Sequence, residues 1–314
     1  MSASARQRST SRVDVVTVTE AEVLPDLDGM SHRKVTVRGA TFHVAESAAP
    51  HAGSPVFVLL HGWPQHWWCW RLVIPELIPL GRVVAVDLRG HGWTSGSKDG
   101  YLKEELADDL IAVLDELGHD RVILVGHDWG GWIGFLAALR YPERFDALVA
   151  LGIVHPFQRL SMTTAVNAWR GAYQAVIAAP LIGYSLLRTQ PWVVAEMIRL
   201  GTADPDAIDG ATRWHYARML QSPSRARASV QMYRTFTLRE VAHLGRYQEE
   251  YLTVPTRLVV GAADPVANSG WLAGWEEHAA DMRVDVVDGI GHFIPEEAPQ
   301  LVIEVIQSMM GDLR

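Results

Sequence analysis

The stretch RVILVGHDWGGWIGFLAALR, residues 121–140, restricts the fold of this chain more than any other. RVILVG (121–126) is an apolar, β-branched run of the kind found where a parallel strand is buried on both faces. The residues after Asp128 read as a helix to about Arg140. Glycines flank Asp128 at the junction, where a tight strand-to-helix turn leaves no room for neighbouring side chains. That is the nucleophile-elbow pattern, with Asp128 where a serine commonly stands. An aspartate that merely caps the helix is the structural alternative, and the strand–turn–helix context favours the elbow. An elbow also aims the backbone N–H of Trp129 at the site as an oxyanion donor.

The rest of the chain continues this grammar. Lys34–Val37 and Thr41–Ala45, separated by Gly39, read as an antiparallel hairpin at a sheet edge. PVFVLL (55–60) and RVVAVDL (82–88) repeat the buried-strand signature, and ALVALGIV (147–154) follows the elbow helix. Between two strands, Leu106, Leu110, Val113, Leu114 and Leu117 recur at helical spacing, with acids in the first turns and Gly118 as the stop. Strand–helix alternation predicts a mainly parallel sheet covered by helices. It lapses from about Phe157 to Arg246, a helical stretch rich in Ala, Leu, Trp and Arg, and resumes with TRLVVGA (256–262), RVDVVD (283–288) and a last helix from Pro299 to about Met310. A helical block of this kind would lie over the carboxyl edge of the sheet, where open α/β sheets bind ligands. The expected division is therefore a core of residues 29–156 and 247–314, a helical cap of 157–246, and a mobile tail of 1–28.

Composition narrows the class. A net charge of -8 argues against a basic face for nucleic acid. A single cysteine, Cys69, allows no intrachain disulfide and suits a reducing cytoplasm. The uncharged stretch between Arg170 and Arg188 contains Gln174, Pro180 and Gly183, and is too short and interrupted to span a bilayer. No HExxH, paired CxxC or phosphate-binding glycine loop supports a metal or nucleotide, so no cofactor is expected. The sequence leaves open whether the protein is a homo-oligomer.

The partners of a nucleophile at residue 128 should follow in the order acid, then base, each after a later strand. GAADP supplies Asp264 after the first of these strands, and GIGHF supplies His292 after the second. Asp285 and Asp288 belong to a solvated strand face. Earlier in the chain, LLHGWP (59–64) closes a buried strand; the N–H of Trp63 is the expected second oxyanion donor, and His61 the residue that braces the loop. The glycines and Asp87 of DLRGHGWTS (87–95) read as loop structure. The tryptophans after Trp63 suggest an aromatic pocket wall, or plain core.

Taken together, HGWP, the DLRGHGWTS loop, GHDWGG, GAADP and GIGHF resemble the epoxide hydrolases of the α/β-hydrolase superfamily, from about Asp26 to the end of the chain. The resemblance implies the α/β-hydrolase fold and two cap tyrosines that hold the epoxide oxygen. Tyr173, followed by Gln174 and Pro180, matches the first; Tyr233 in MYRTF matches the second. Tyr184 and Tyr216 are the substitutes. It further implies a small-molecule epoxide and water as reactants. Asp128 would open the ring to give an alkyl-enzyme ester, and His292, oriented by Asp264, would activate the water that hydrolyses it. A haloalkane dehalogenase shares the triad and would use the indoles of Trp63 and Trp129 to hold halide. A non-catalytic binding protein on this scaffold would not need a complete triad.

Overall fold

The computed structural model describes residues 23–158, 172–267 and 271–313. The strands are β1 (Met30–Val37), β2 (Ala40–Ser47), β3 (Val56–Leu60), β4 (Arg82–Val86), β5 (Val122–His127), β6 (Phe145–Leu151), β7 (Thr256–Gly261) and β8 (Met282–Val287). They form one sheet in the order β1-β2-β4-β3-β5-β6-β7-β8. Only the β1–β2 and β2–β4 pairings are antiparallel. This is the mainly parallel sheet expected from the alternation, in the α/β-hydrolase arrangement that the resemblance implies.

Each strand boundary has a local cause. The edge hairpin turns through Arg38 and Gly39, both at positive φ, the two-residue turn whose twist matches paired strands. Every residue of β5 is buried, as its unbroken apolar sequence requires. The expected strand through Val154 ends instead at Leu151, because Gly152 takes a φ of 58° and turns the chain away.

The connection from β3 goes to β4 on one side, and the chain then crosses back to β5 on the other. Strand order therefore reverses between β3 and β5, and a crevice opens beyond their carboxyl ends. Short helix α1 (Ile74–Leu77), α2 (Lys103–Leu117) and α3 (Trp129–Arg140) belong to these crossovers. α2 stops at Gly118, with φ 75°, as its position after the last periodic leucine predicts.

Between β6 and β7 the described residues contain no strand. They form α4 (Ala172–Ala178), α5 (Pro180–Thr189), α6 (Pro191–Gly201), α7 (Gly210–Met219) and α8 (Pro223–Thr235), then turns of wider and tighter pitch to Glu249. Proline opens α5, α6 and α8, where its missing N–H costs nothing. This block touches the loops at the carboxyl edge. The Trp63 indole donates to Ser229 Oγ (3.1 Å), Arg225 Nε to the Gly92 carbonyl (2.6 Å), and the His292 amide to the Gly201 carbonyl (2.7 Å). α9 (Ile294–Glu297) and α10 (Pro299–Asp312) complete the chain.

One further expectation needs correction. The tail was expected to run to residue 28, but Leu24 and Leu27 already pack against the core, since leaving them in water would forfeit their apolar burial. Residues 1–22 of the expected tail lie outside the described residues. Trp67 and Trp70, expected as part of a pocket wall or as core, are fully buried core residues. Among the described residues no helix is long and apolar enough to cross a membrane.

Candidate active site

β5 delivers Asp128 to the crevice in an unusual backbone conformation, φ 50° and ψ −120°. For a residue with a Cβ this costs about 1–3 kcal/mol. The elbow is held by its amide, which donates to the Leu151 carbonyl (3.0 Å), and by its carbonyl, which accepts from Trp132 (3.0 Å). Close approach makes glycine necessary nearby. A Cβ on Gly130 would run into the Leu60 carbonyl, and one on Gly62 would overlap the Asp128 side chain.

The loop after β3 reaches the same carboxylate. The Trp63 amide donates to Asp128 Oδ2 (2.9 Å), and the Trp129 amide also hydrogen-bonds the carboxylate. His61 braces this loop: one ring nitrogen bonds the Gly62 carbonyl (2.9 Å) and the other the Leu88 amide (2.9 Å). Beneath it, Asp87 accepts from His43 (2.7 Å), the Trp67 amide (2.8 Å) and the Trp93 amide (3.0 Å). Burial works to raise the Asp87 carboxyl, but His43 and the other histidines around it hold it below the usual carboxylate range.

On the other side of Asp128, His292 Nε2 lies 3.9 Å from Oδ1. His292 Nδ1 meets Asp264 Oδ2 at 2.9 Å, and Asp264 Oδ1 accepts from the amides of Val266 (2.6 Å) and Ala267 (3.0 Å). Burial alone would raise Asp128 and discharge His292. It does push Asp128 up to about 6, moderated by His292 and the two amides. For His292 the charge and hydrogen bond of Asp264, with the charge of Asp128, overcome burial and push it up to about 9. At neutral pH the pair is therefore carboxylate and imidazolium.

α4 and α8 bring Tyr173 and Tyr233 together over this group. The Tyr233 ring meets Trp63 at 5.4 Å, Trp129 at 5.5 Å and Tyr173 at 6.0 Å, each edge to face. Burial first, and then the nearby Asp128 carboxylate, push the Tyr173 phenol up; burial, Tyr173 and Asp128 do the same to Tyr233. Both phenols thus stay protonated as donors. The substitutes are engaged elsewhere: Tyr216 donates to Glu296 (3.2 Å), and Tyr184 accepts from Arg188 (3.4 Å) and Arg227 (3.5 Å). Asp285 and Asp288 are exposed. Among the described residues no group of three or more His, Cys, Asp or Glu side chains is arranged to hold a metal.

This geometry has close counterparts. Residues 55–178 match the α/β hydrolase fold family. A superfamily protein of Bacillus subtilis is 29% identical over 288 residues, 89% of this chain and 98% of that one. The chain has the α/β-hydrolase fold. Relatives over nearly the whole length of the chain include a soluble epoxide hydrolase of Corynebacterium sp., 27% identical over 300 residues, 91% of this chain and 99% of the relative. The solved structure of the epoxide hydrolase CorEH without ligand superposes with a TM-score of 0.77 at 26% identity, covering 91% of this chain and all of that one. The resemblance drawn from the motifs therefore extends through the helical block.

Three groups behind the site of the α/β-hydrolase escaped sequence reasoning. Glu297 accepts from the amides of Gly291 (2.9 Å), Phe293 (2.9 Å) and Ala203 (2.8 Å), tying the His292 loop to the segment after α6. Glu296 gathers Arg71, Gln65 and Tyr216 in a buried cluster. Lys103 and Glu240 form a buried ion pair between α2 and the turn after α8. The adjacent acids in IPEE gave no hint of this. A lysine in the first turn of a helix, set against the dipole, was the one available signal.

Proposed function

We propose that the protein is an epoxide hydrolase that converts an epoxide to a vicinal diol through an ester on Asp128, under a cap formed by residues 157–246. The observation that carries this reading is the placement of two protonated phenols, Tyr173 and Tyr233, against a carboxylate that already rests in an amide cradle. Oδ2 is held by the Trp63 amide, which leaves Oδ1 to attack the back of the strained C–O bond. That bond breaks as the new ester C–O bond forms, and a tyrosine hydroxyl gives its proton to the departing alkoxide. Such a leaving group needs donors of this kind.

Ester formation removes the negative charge that helped hold a proton on His292. The imidazole's proton affinity then falls, and it releases its proton to solvent to become the base of the second step. Neutral His292, oriented by Asp264, takes a proton from water as the water adds to the ester carbon. The Trp63 and Trp129 amides receive the charge that develops on Oδ2. Collapse releases the diol, whose leaving oxygen takes the proton held by His292, and the second proton of the water, freed as the carboxylate re-forms, returns to the tyrosine.

The indole arrangement speaks against a haloalkane dehalogenase. The Trp63 indole donates to Ser229 (3.1 Å), and the Trp129 indole is turned to the Tyr233 hydroxyl. A halide could take neither indole without displacing its present partner.

Oxygen labelling tests the proposal. One turnover of styrene oxide with enzyme in excess, in heavy-oxygen water, should yield mostly unlabelled diol, because the entering oxygen comes from Asp128. After many turnovers the label should appear in the diol and in the peptide containing Asp128. Full label in the diol from the first turnover would mean direct attack by water and would refute the ester mechanism.

A further inference from the structure

Lys103 is the first residue of α2, and its ammonium is fully buried. Both circumstances are unfavourable. A cation at a helix N-terminus faces the positive end of the dipole, and a buried one has lost its hydration. The groups that compensate come largely from the far side of the catalytic crevice. Nζ donates to the Met232 carbonyl (2.8 Å) and Thr235 Oγ1 (3.3 Å) at the end of α8, and to the Tyr101 carbonyl (3.3 Å). It pairs with Glu240 Oε1 at 3.0 Å. The other Glu240 oxygen accepts from the Lys103 backbone N–H (3.1 Å), so one carboxylate both neutralises the lysine and caps α2.

The ammonium also lies 4.8 Å from the Trp129 ring centre and 5.4 Å from that of Phe236, which itself stands edge-on to Trp129 at 4.9 Å. The pair therefore grips the peptide carbonyl immediately before Tyr233 and, with the same charge, the ring of Trp129 against which Tyr233 packs. Apolar residues of similar volume would often hold such a junction equally well. What the ion pair adds is direction, because its hydrogen bonds are satisfied at only one placement of the α8 end on α2.

We propose that Lys103 and Glu240 are a positioning pair that sets Tyr233 over Asp128 for ring opening. This rests on the reading of Tyr233 as the donor to the epoxide oxygen. The pair touches neither His292 nor the Trp63 amide, and it meets Trp129 at the ring and not at the amide, so its effect falls mainly on the first chemical step.

The test separates the two steps in K103M and in E240Q. The latter is isosteric, can still accept from the Lys103 amide, and keeps the test open if K103M does not fold. Rapid quench and mass spectrometry on styrene oxide measure ester formation on Asp128 and its subsequent loss. Ester formation should slow about 10- to 100-fold, the effect of a roughly 1 Å misplacement, while ester loss stays within about threefold. Unchanged ester formation, or equal slowing of both steps in proportion to a fall in Tm, would overturn the proposal. If the wild-type enzyme opens no epoxide at all, the activity reading is what fails. The pair is then judged from the crystal structure of E240Q: Tyr233 displaced from Asp128 supports it, and Tyr233 in its wild-type place overturns it.

Discussion

Asp128 is served from two sides that hold their residues by different means. On the sheet side, Trp63, Asp264 and His292 stand on loops that directly follow β3, β7 and β8. Asp264 is fixed by amides two and three residues further along its own loop. On the helical side, Tyr233 lies in the last turn of α8 and makes its site contacts with Trp63, Trp129 and Tyr173, from three other segments of the chain. The end of its helix is tied down by Lys103, 129 positions away from Met232. The sheet side is placed by the loops that follow its strands and only braced from the helical block, as by the Gly201 carbonyl on the His292 amide, whereas the helical side is placed by contacts between distant segments. If this division is real, the two sides should also divide the chemistry, the helical side serving ring opening and the sheet side serving ester hydrolysis.

His292→Gln makes the largest break in that division. Turnover should fall about 10²- to 10⁴-fold, the usual contribution of a general base, while ester formation proceeds. Intact-protein mass spectrometry should show the enzyme heavier by one substrate. A variant that binds the epoxide and forms no adduct would place His292 before ring opening and erase the distinction between the sides.

Removing a donor from the helical side should do the reverse. Tyr233→Phe should slow ester formation about 10- to 1,000-fold, Tyr173→Phe should act similarly, and the double variant should be nearly inactive. Pre-formed ester should still hydrolyse at close to the wild-type rate. Normal turnover by the double variant would remove the cap tyrosines from the mechanism and return the dehalogenase to contention.

The smallest effect is one of pH, and it sharpens the comparison instead of breaking it. In the proposed mechanism ring opening requires the Asp128 carboxylate, whose pKa is raised to about 6 by burial. The single-turnover rate of ester formation should be at its plateau above that value and fall as pH drops through it, by about tenfold at pH 5. Ester hydrolysis needs neutral His292. Its pKa of about 9 applies while Asp128 is charged, so in the ester the base limb should lie at lower pH. A hydrolysis limb that stays near 9 would mean that Asp128 does not modulate the imidazole.

Sequence alone determined the sheet, the elbow and the loops that carry Asp264 and His292, because each is written in short-range pattern. A buried strand needs only a continuous apolar run, the elbow only small residues where chain segments cross, and the acid and base only a place on the loops after later strands. Even the hairpin turn at Arg38–Gly39 is a local matter of backbone twist. Tertiary structure decided everything that depends on which face of a helix meets which neighbour. The sequence put Tyr173 and Tyr233 first and kept Tyr184 and Tyr216 as substitutes, and the docking of α4, α7 and α8 brings Tyr173 and Tyr233 together while Tyr216 serves Glu296 and Tyr184 lies among arginines. The same docking put Trp67 and Trp70 in the core and joined Lys103 to Glu240 across 137 positions. Helical periodicity defines a buried stripe. The partner that covers the stripe is chosen by packing and by the need to satisfy buried polar groups, and neither can be read from neighbouring residues.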